Sequence, residues 1–233
     1  MHVLVPIEIL EGEIVPEGLL ELLATTNVTI LGYHELPEQT PPDQARQQFE
    51  ERAVAALEDI AAGYTGSGRI WTRLVFTHDT QQTIERVASE VEADAYVLTG
   101  AIDRADSLLV ALTDDVAAER ILGFVEALVG DRDVAVTLFV ANKKSEARRE
   151  FLEASAESLR NAGIDVSTKL VTAKPFDGLL KAVPGHDAIV VGEAAPSLSS
   201  FILGDESERI AAASVGPVLV VRRPVETEPI EET

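Results

Sequence analysis

The sequence contains no cysteine among its 233 residues. Disulfide bonds, thiolate catalysis and cysteine-ligated metal sites are therefore excluded. No apolar run approaches the roughly 20 residues that a membrane-spanning helix needs. The amino-terminal segment MHVLVPIEIL lacks the basic residues and the small-residue cleavage site of a signal peptide. We therefore expect a cytoplasmic chain without a membrane-inserted segment.

Basic residues are also scarce, and lysine above all. The chain has 40 acidic and 19 basic residues, of which only 5 are lysine, and its net charge is −21 at pH 7. A surface of this sign repels phosphate backbones and anionic lipid headgroups, which argues against binding to nucleic acid or to membrane surfaces. Acidic, lysine-poor surfaces are typical of a salt-rich cytoplasm, where the screening length falls to about 3 Å at molar salt. The composition thus predicts a halophilic protein.

Short apolar runs alternate with segments of helical periodicity along the first part of the chain. With 46% hydrophobic residues, the chain can bury a core despite its charge. The strands predicted in this part are His2–Glu8, Asn27–Tyr33, Arg69–Phe76 and Asp94–Gly100. Because alternation of strands and helices favours parallel pairing, the order predicts a mostly parallel sheet covered by helices.

The same order of elements then recurs about a hundred residues later, which indicates duplication. The corresponding strands are Ser107–Thr113, Val134–Val140, Asp165–Thr172 and Asp187–Gly192. The second copy continues to a fifth strand, Pro217–Arg222, which the first copy lacks. We therefore predict an α/β fold with two doubly wound parallel-sheet units in tandem. A truncated unit spans 1–105, a complete unit spans 106–223, and an acidic, disordered tail spans 224–233.

The end of the second unit has a distinctive succession of segments. DAIVVG at Asp187–Gly192 is followed by a loop, a predicted helix and GPVLVVR at Gly216–Arg222. In this succession the chain resembles the universal stress protein family, whose last strand follows the same pattern. The resemblance covers almost the whole chain, with the first unit as a shortened copy. It implies a five-stranded parallel sheet with helices on both faces, in the doubly wound arrangement.

Many members of that family bind ATP through a loop of the form G-x2-G-x9-G-(S/T) after the fourth strand. Glycines there bring backbone amides close to the phosphates, at the start of a helix. In this sequence Gly192 matches the first glycine, Ala195 replaces the second, and Gly204 comes one residue early for the last. Asp205 takes the place of the hydroxyl residue. Its carboxylate repels phosphate, so the resemblance implies a weakened loop.

The family also has an aspartate at the end of its first strand, near the adenosine. In the second unit Thr113 holds that position and is followed by Asp114, whereas the first unit has Glu8. The first unit has no phosphate loop at all, because Gly100 leads through a short connection into the next unit. We therefore expect no cofactor and a degenerate ATP site that is weak or inactive. Its residues are Thr113, Asp114, Gly192, Ala195, Gly204 and Asp205.

Two other candidates have simpler interpretations. His78 follows a predicted strand at the end where such sheets bind ligands, but a solvated loop residue is the more ordinary interpretation. The segment Gly63–Gly68 (GYTGSG) follows a helix and precedes a strand, which is the reverse of a phosphate loop. We interpret it as a helix C-cap and turn. Asp79 is predicted to cap the helix that follows.

No catalytic constellation is present in the sequence, so we expect that the protein is not an enzyme. The leading hypothesis is a regulatory or stress-response protein that acts by protein association, with little or no affinity for ATP. One alternative is a nucleotide-binding stress sensor that uses the loop 192–205, with Mg²⁺ bridging Asp205 or Asp114 to the phosphates. Another is a regulatory partner of a membrane transporter, since the family's domains also occur fused to transporters.

The resemblance also implies a homodimer, because the family commonly pairs its subunits through the fifth strand. Only the second unit has that strand, Pro217–Arg222. An apolar strand at the edge of a sheet presents unpaired N–H and C=O groups. Pairing with its own copy about a two-fold axis satisfies these groups. We therefore predict a homodimer through this strand.

Overall fold

The computed structural model describes residues 1–12, 14–98, 100, 102–112, 115–141, 146–193 and 216–223, without the side chains of Asp115, Val116 and Phe176. The strands described are β1 His2–Glu8, β2 Asn27–Glu35, β3 Ile70–Thr77, β4 Ala95–Leu98, β5 Ser107–Ala111, β6 Ala135–Ala141, β7 Val166–Val171, β8 Ala188–Gly192 and β9 Val218–Val221. The helices described are α1 Glu17–Leu22, α2 Pro42–Ala62, α3 Thr80–Glu90, α4 Asp115–Val129, α5 Glu146–Asn161 and α6 Pro175–Ala182. Strands and helices alternate through both halves, as the sequence predicts.

The described strands belong to one sheet, in the order β3-β2-β1-β4-β9-β8-β5-β6-β7. The first half, β1 to β4, has the same internal order as the second half, β5 to β8, counted from the opposite side of the sheet. Neighbours within each half are parallel, and only β4 and β9 pair in antiparallel fashion. The predicted fold class, with two doubly wound units of which the first is truncated, is confirmed. The predicted unit boundaries stay predictions, and the tail over 224–233 lies outside the described residues.

Strand β9 lies between the two halves and is paired on both sides. Val97 of β4 lies opposite Leu219 on one side, and Val190 of β8 lies opposite it on the other. The predicted homodimer through Pro217–Arg222 is therefore wrong, because the first half of the same chain covers the edge that was expected to be free. The apolar pattern of a strand shows that it is buried, but it does not specify which neighbour covers it.

Helices cover both faces of the sheet. Helices α1, α2, α4 and α5 pack on one face, where Leu57 and Leu159 are buried. Helices α3 and α6 pack on the other face, where Val87 and Leu179 are buried. Because both faces are covered, a central strand such as Ala188–Gly192 is buried at every position.

The two halves present their strand ends in opposite directions. Because β4 and β9 are antiparallel, the strands of the first half end where those of the second half begin, and the reverse holds at the opposite end of the sheet. We call these places the carboxyl rim of the first half and the carboxyl rim of the second half. Doubly wound sheets bind ligands outside the carboxyl ends of their strands. The fold therefore has two candidate sites, at opposite ends of the sheet.

Candidate functional site

The carboxyl rim of the second half is where the sequence places the degenerate ATP loop. Gly192 ends β8 there, is buried, and lies beside Val221 of β9. The next residue, Glu193, donates its backbone N–H to the carbonyl of Val221 over 2.8 Å. Its Oε2 accepts a hydrogen bond from the backbone N–H of Arg223 over 3.0 Å. The start of the loop is thus tied to β9. The other predicted site residues lie outside the described part of the chain: Thr113, Asp114, Ala195, Gly204 and Asp205.

The carboxyl rim of the first half is crossed by the segment that joins the two halves. Ile102 of this segment is 8% exposed and belongs to the core on the α1 face of the sheet. The backbone of Asp103 approaches Gly18 of α1 so closely that a Cβ atom on Gly18 would lie 2.6 Å from the Asp103 carbonyl. Only glycine permits such an approach. The first turn of α1, where ligands of doubly wound sheets approach, is thus covered by the chain's own backbone.

Three side chains with ligand atoms meet at this same rim. Glu8 ends β1, Glu11 follows in the next turn, and His34 lies near the end of β2. One ligand atom from each residue lies within 4.8 Å of the other two. Of these three residues, only Glu8 stands out in the sequence, at the end of the first predicted strand. The pairing register of β1 and β2 brings His34 together with it. Glu8 lies opposite Tyr33, so His34, one position later, reaches the same rim.

Two further histidines, His78 and His186, make structural contacts. Nδ1 of His78 lies 3.2 Å from the carbonyl oxygen of Leu36. Nε2 of His186 lies 3.0 Å from Oγ1 of Thr137. These imidazoles connect loops to neighbouring segments, and within the described residues neither belongs to a group of three metal-ligating side chains.

The glycine-rich segment Gly63–Gly68 is a turn, as the sequence predicts. The hydroxyl of Tyr64 donates to the carbonyl of Thr26 over 2.7 Å. The backbone N–H of Ser67 donates to the carbonyl of Ala24 over 2.7 Å. The donors of this turn are thus already paired with the carbonyl oxygens of Ala24 and Thr26. Carbonyl oxygens also repel an anion such as phosphate. The segment therefore serves to connect α2 to β3 and is not a phosphate loop.

A buried polar pair lies beside β9. Tyr96 of β4 is 1% exposed, and neither its hydroxyl nor Nε of Arg222 has a hydrogen-bond partner within the described residues. The other guanidinium nitrogens of Arg222 donate to the carbonyl of Ala93 and to Oγ of Ser89, over 3.2 and 2.8 Å. Burial, with a further contribution from the charge of Glu193, raises the pKa of Tyr96 well above its usual range. The phenol is therefore harder to ionise than an exposed tyrosine.

Solved structures that align with nearly the whole chain identify the fold. A universal stress protein from Archaeoglobus fulgidus matches 95% of this chain and 96% of its own, with a TM-score of 0.67 and 16% sequence identity. The chain has the universal stress protein fold. A functionally unknown protein from Pseudomonas aeruginosa matches 95% of this chain and 92% of its own, with a TM-score of 0.53 and 14% identity. At such identities the likeness establishes the fold alone.

Comparisons of sequence do not add to this result. No family model matches the chain, and no curated protein matches it. Among the described helices, none has the length and apolar character that crossing a membrane requires. The assignment of the universal stress protein fold therefore rests on the strand order and on the solved structures.

Proposed function

We propose that this chain is a non-catalytic regulatory protein of the stress response, which acts by associating with another protein and binds ATP weakly or not at all. The observation that carries the proposal is the path of residues 102–106 across the carboxyl rim of the first half. One of the two places where this fold can accept a nucleotide is covered by the chain itself.

The charges on the joining segment also oppose a nucleotide at that rim. A phosphate at the first turn of α1 has to displace the backbone of Asp103, whose own side chain is acidic and exposed. The basic residue of the segment, Arg104, pairs with Asp106 over 2.6 Å. The Asp106 carboxylate thus competes with any phosphate for the guanidinium of Arg104. At about 4 Å, two like charges repel by about 1 kcal/mol in water, and by more where water is excluded.

At the carboxyl rim of the second half, the cation that follows β9 is engaged in contacts with the first half. Arg222 follows β9 at this rim, but its guanidinium donates to Ala93 and Ser89 of the first half. It therefore holds the two halves together, and a phosphate has to compete with those contacts. In the sequence, Ala195 and Asp205 replace a glycine and a hydroxyl of the family's loop. These replacements support weak binding of ATP there as well.

Association with a protein is supported by the outer strand of the first half. Among the described strands, β3 has a neighbour on one side only, which is β2. Trp71 on this strand exposes 43% of its surface. An edge strand with unpaired N–H and C=O groups can add a strand from a partner, and an exposed tryptophan supplies apolar contact area. We infer that β3 contributes to the association surface.

The proposal is tested by the thermal stability of the chain with nucleotides in molar KCl, with and without Mg²⁺. A ligand that binds the folded state raises the melting temperature by mass action. We expect no rise with ATP at micromolar concentrations. The double variant Ala195→Gly with Asp205→Ser is the matched control, and it should gain an ATP-dependent rise if this loop is the weakened site.

A rise for the wild-type chain would instead support an ATP-binding stress sensor in which Mg²⁺ bridges the loop carboxylates to the phosphates. The association is tested by co-purification from stressed cells, with Trp71→Glu as the matched variant. We expect the wild-type chain to retain a partner that the variant loses. A membrane transporter as that partner stays a hypothesis from the family resemblance, and the cytoplasmic location stays a prediction.

A further inference from the structure

We propose that Glu8, Glu11 and His34 form a binding site for one divalent transition-metal cation of the zinc type. The site lies at the carboxyl rim of the first half, separate from the degenerate ATP loop of the second half. It combines an imidazole nitrogen with two carboxylate oxygens, and one such atom from each residue lies within 4.8 Å of the other two.

The distances suit a shared cation. Nδ1 of His34 lies 3.9 Å from Oε1 of Glu8, too far for a hydrogen bond. Two atoms that bind one Zn²⁺ at about 2.0–2.1 Å lie about 3.4 Å apart in tetrahedral geometry. Ligation of one cation by both atoms would therefore shorten their separation by about 0.5 Å. Glu11 lies in the turn after β1, so its exposed side chain can adjust to the cation.

Nδ1 of His34 gives a second observation that is independent of the carboxylates. The atom is inaccessible to solvent and has no hydrogen-bond partner within the described part of the chain. Buried polar atoms in folded proteins are nearly always paired, and an ion is one of the groups that can pair them. This nitrogen lies 3.9 Å from Oε1 of Glu8, so a cation bound between the two atoms gives the nitrogen a partner.

The imidazole is held in place by its surroundings. The ring of Phe49 on α2 and the ring of Phe76 on β3 pack edgewise against it, with centroid distances of 5.9 and 6.3 Å. Phe76 is buried. Two aromatic contacts from different elements restrict the rotation of the imidazole. A ligand that is fixed before the cation arrives loses little conformational entropy on binding.

The donor set decides the class of cation. Imidazole with carboxylate suits Zn²⁺ and other transition metals, whereas Mg²⁺ and Ca²⁺ prefer oxygen ligands. Three protein ligands leave a fourth position for water, which is the pattern of an open zinc site. We expect the cation to fasten the turn at Glu11 to the ends of β1 and β2.

The test is isothermal titration of the full chain with Zn²⁺ alone, after treatment with a chelator and dialysis. The titration is made in potassium nitrate with a large excess of Mg²⁺, because the acidic surface binds divalent cations without specificity. We expect one equivalent of Zn²⁺ to bind. The variants His34→Gln and Glu11→Gln should each weaken the binding of Zn²⁺ at least about tenfold.

His78→Gln is the matched control, because His78 lies at the same rim but outside the three-residue cluster. It should bind Zn²⁺ as the wild type does. Glu11→Gln changes only an exposed turn residue, so the result does not depend on whether His34→Gln folds. Absence of a one-equivalent site in the wild type would overturn the proposal. Wild-type affinity in Glu11→Gln and in folded His34→Gln would overturn it as well.

Discussion

Asp94 and Asp187 occupy equivalent positions in the two halves and make the same kind of contact. The carboxylate of Asp94 accepts a hydrogen bond from the backbone N–H of His2 over 2.8 Å. The carboxylate of Asp187 accepts from the backbone N–H and the hydroxyl of Ser107, over 2.9 and 2.8 Å. In each half an aspartate before the fourth strand thus fixes the start of the first strand. The duplication visible in the sequence is therefore preserved in individual hydrogen bonds.

The first prediction concerns the unequal strength of these two contacts. Oδ2 of Asp187 also accepts from the backbone N–H of Asp106, whereas the Asp94 side chain is 42% exposed. A hydrogen bond to a charged group contributes about 1.5–3 kcal/mol to stability. We expect Asp187→Ala to lower the free energy of unfolding more than Asp94→Ala does. Urea denaturation of both variants in molar KCl measures this, and the opposite ranking would contradict it.

The second prediction concerns acid sensitivity at His2. Its Nε2 lies 2.8 Å from Oγ1 of buried Thr29, and its ring packs on Trp71 at 5.3 Å. Burial lowers the pKa of His2 below its ordinary value of 6.5. The unfolded chain therefore binds this proton more readily than the folded chain. The contribution of neutral His2 to the free energy of unfolding is complete above pH 6.5. It is lost as the pH falls from there through the lower pKa of His2 in the folded state.

His2→Gln removes this titration. The free energy of unfolding, measured by urea denaturation at constant salt, should decline less steeply below pH 6.5 in the variant than in the wild type. Stability at pH 8 serves as the reference for each protein. Parallel curves for the two proteins would show that His2 does not contribute to the acid sensitivity.

The third prediction concerns the role of β9 in joining the halves. Leu219 is fully buried and lies opposite one strand of each half. We expect Leu219→Ala to lower the free energy of unfolding by about 2–5 kcal/mol, because it creates a cavity that both halves share. Trp71, the one tryptophan of the chain, reports on the first half by fluorescence, while far-ultraviolet circular dichroism reports on the whole chain.

In wild type and variant alike, the two signals should change at the same urea concentration. If the fluorescence transition of Leu219→Ala stayed at its wild-type position while the circular dichroism transition moved, the halves would be independent. That result would contradict the structure, in which β9 is paired with both.

The fourth prediction concerns the hydroxyl of Tyr96, which has no hydrogen-bond partner within the described residues. Removing a buried polar group that lacks a partner eliminates its desolvation cost. We expect Tyr96→Phe to leave the free energy of unfolding unchanged or to raise it by about 1 kcal/mol. Chemical denaturation of the variant measures the effect. A loss of stability would show that the hydroxyl donates a hydrogen bond in solution.

The sequence predicts those parts of the fold that depend on local patterns. Apolar runs predict the strands, their recurrence predicts the duplication, and Asp79 caps α3 as expected, accepting from the backbone N–H of Gln82 over 2.9 Å. These features follow from periodicity and from side chains close together in the chain. The order of elements was therefore sufficient to predict two parallel units.

The contacts between distant segments could not be predicted in the same way. The pairing of β9 with β4 joins Val97 to Leu219, and the local sequence of either strand is compatible with several neighbours. The cluster of Glu8, Glu11 and His34 depends on the register of two strands. The passage of Asp103 over Gly18 depends on the direction of the joining segment, which follows from the antiparallel arrangement of the halves.

The central claim, that neither rim binds ATP tightly, is tested most directly by equilibrium dialysis of the full chain against radiolabelled ATP. The measurement is made in molar KCl with Mg²⁺, so that repulsion by the acidic surface is screened. We predict no saturable binding at micromolar concentrations of ATP. Saturable binding of one ATP per chain in that range would contradict the account.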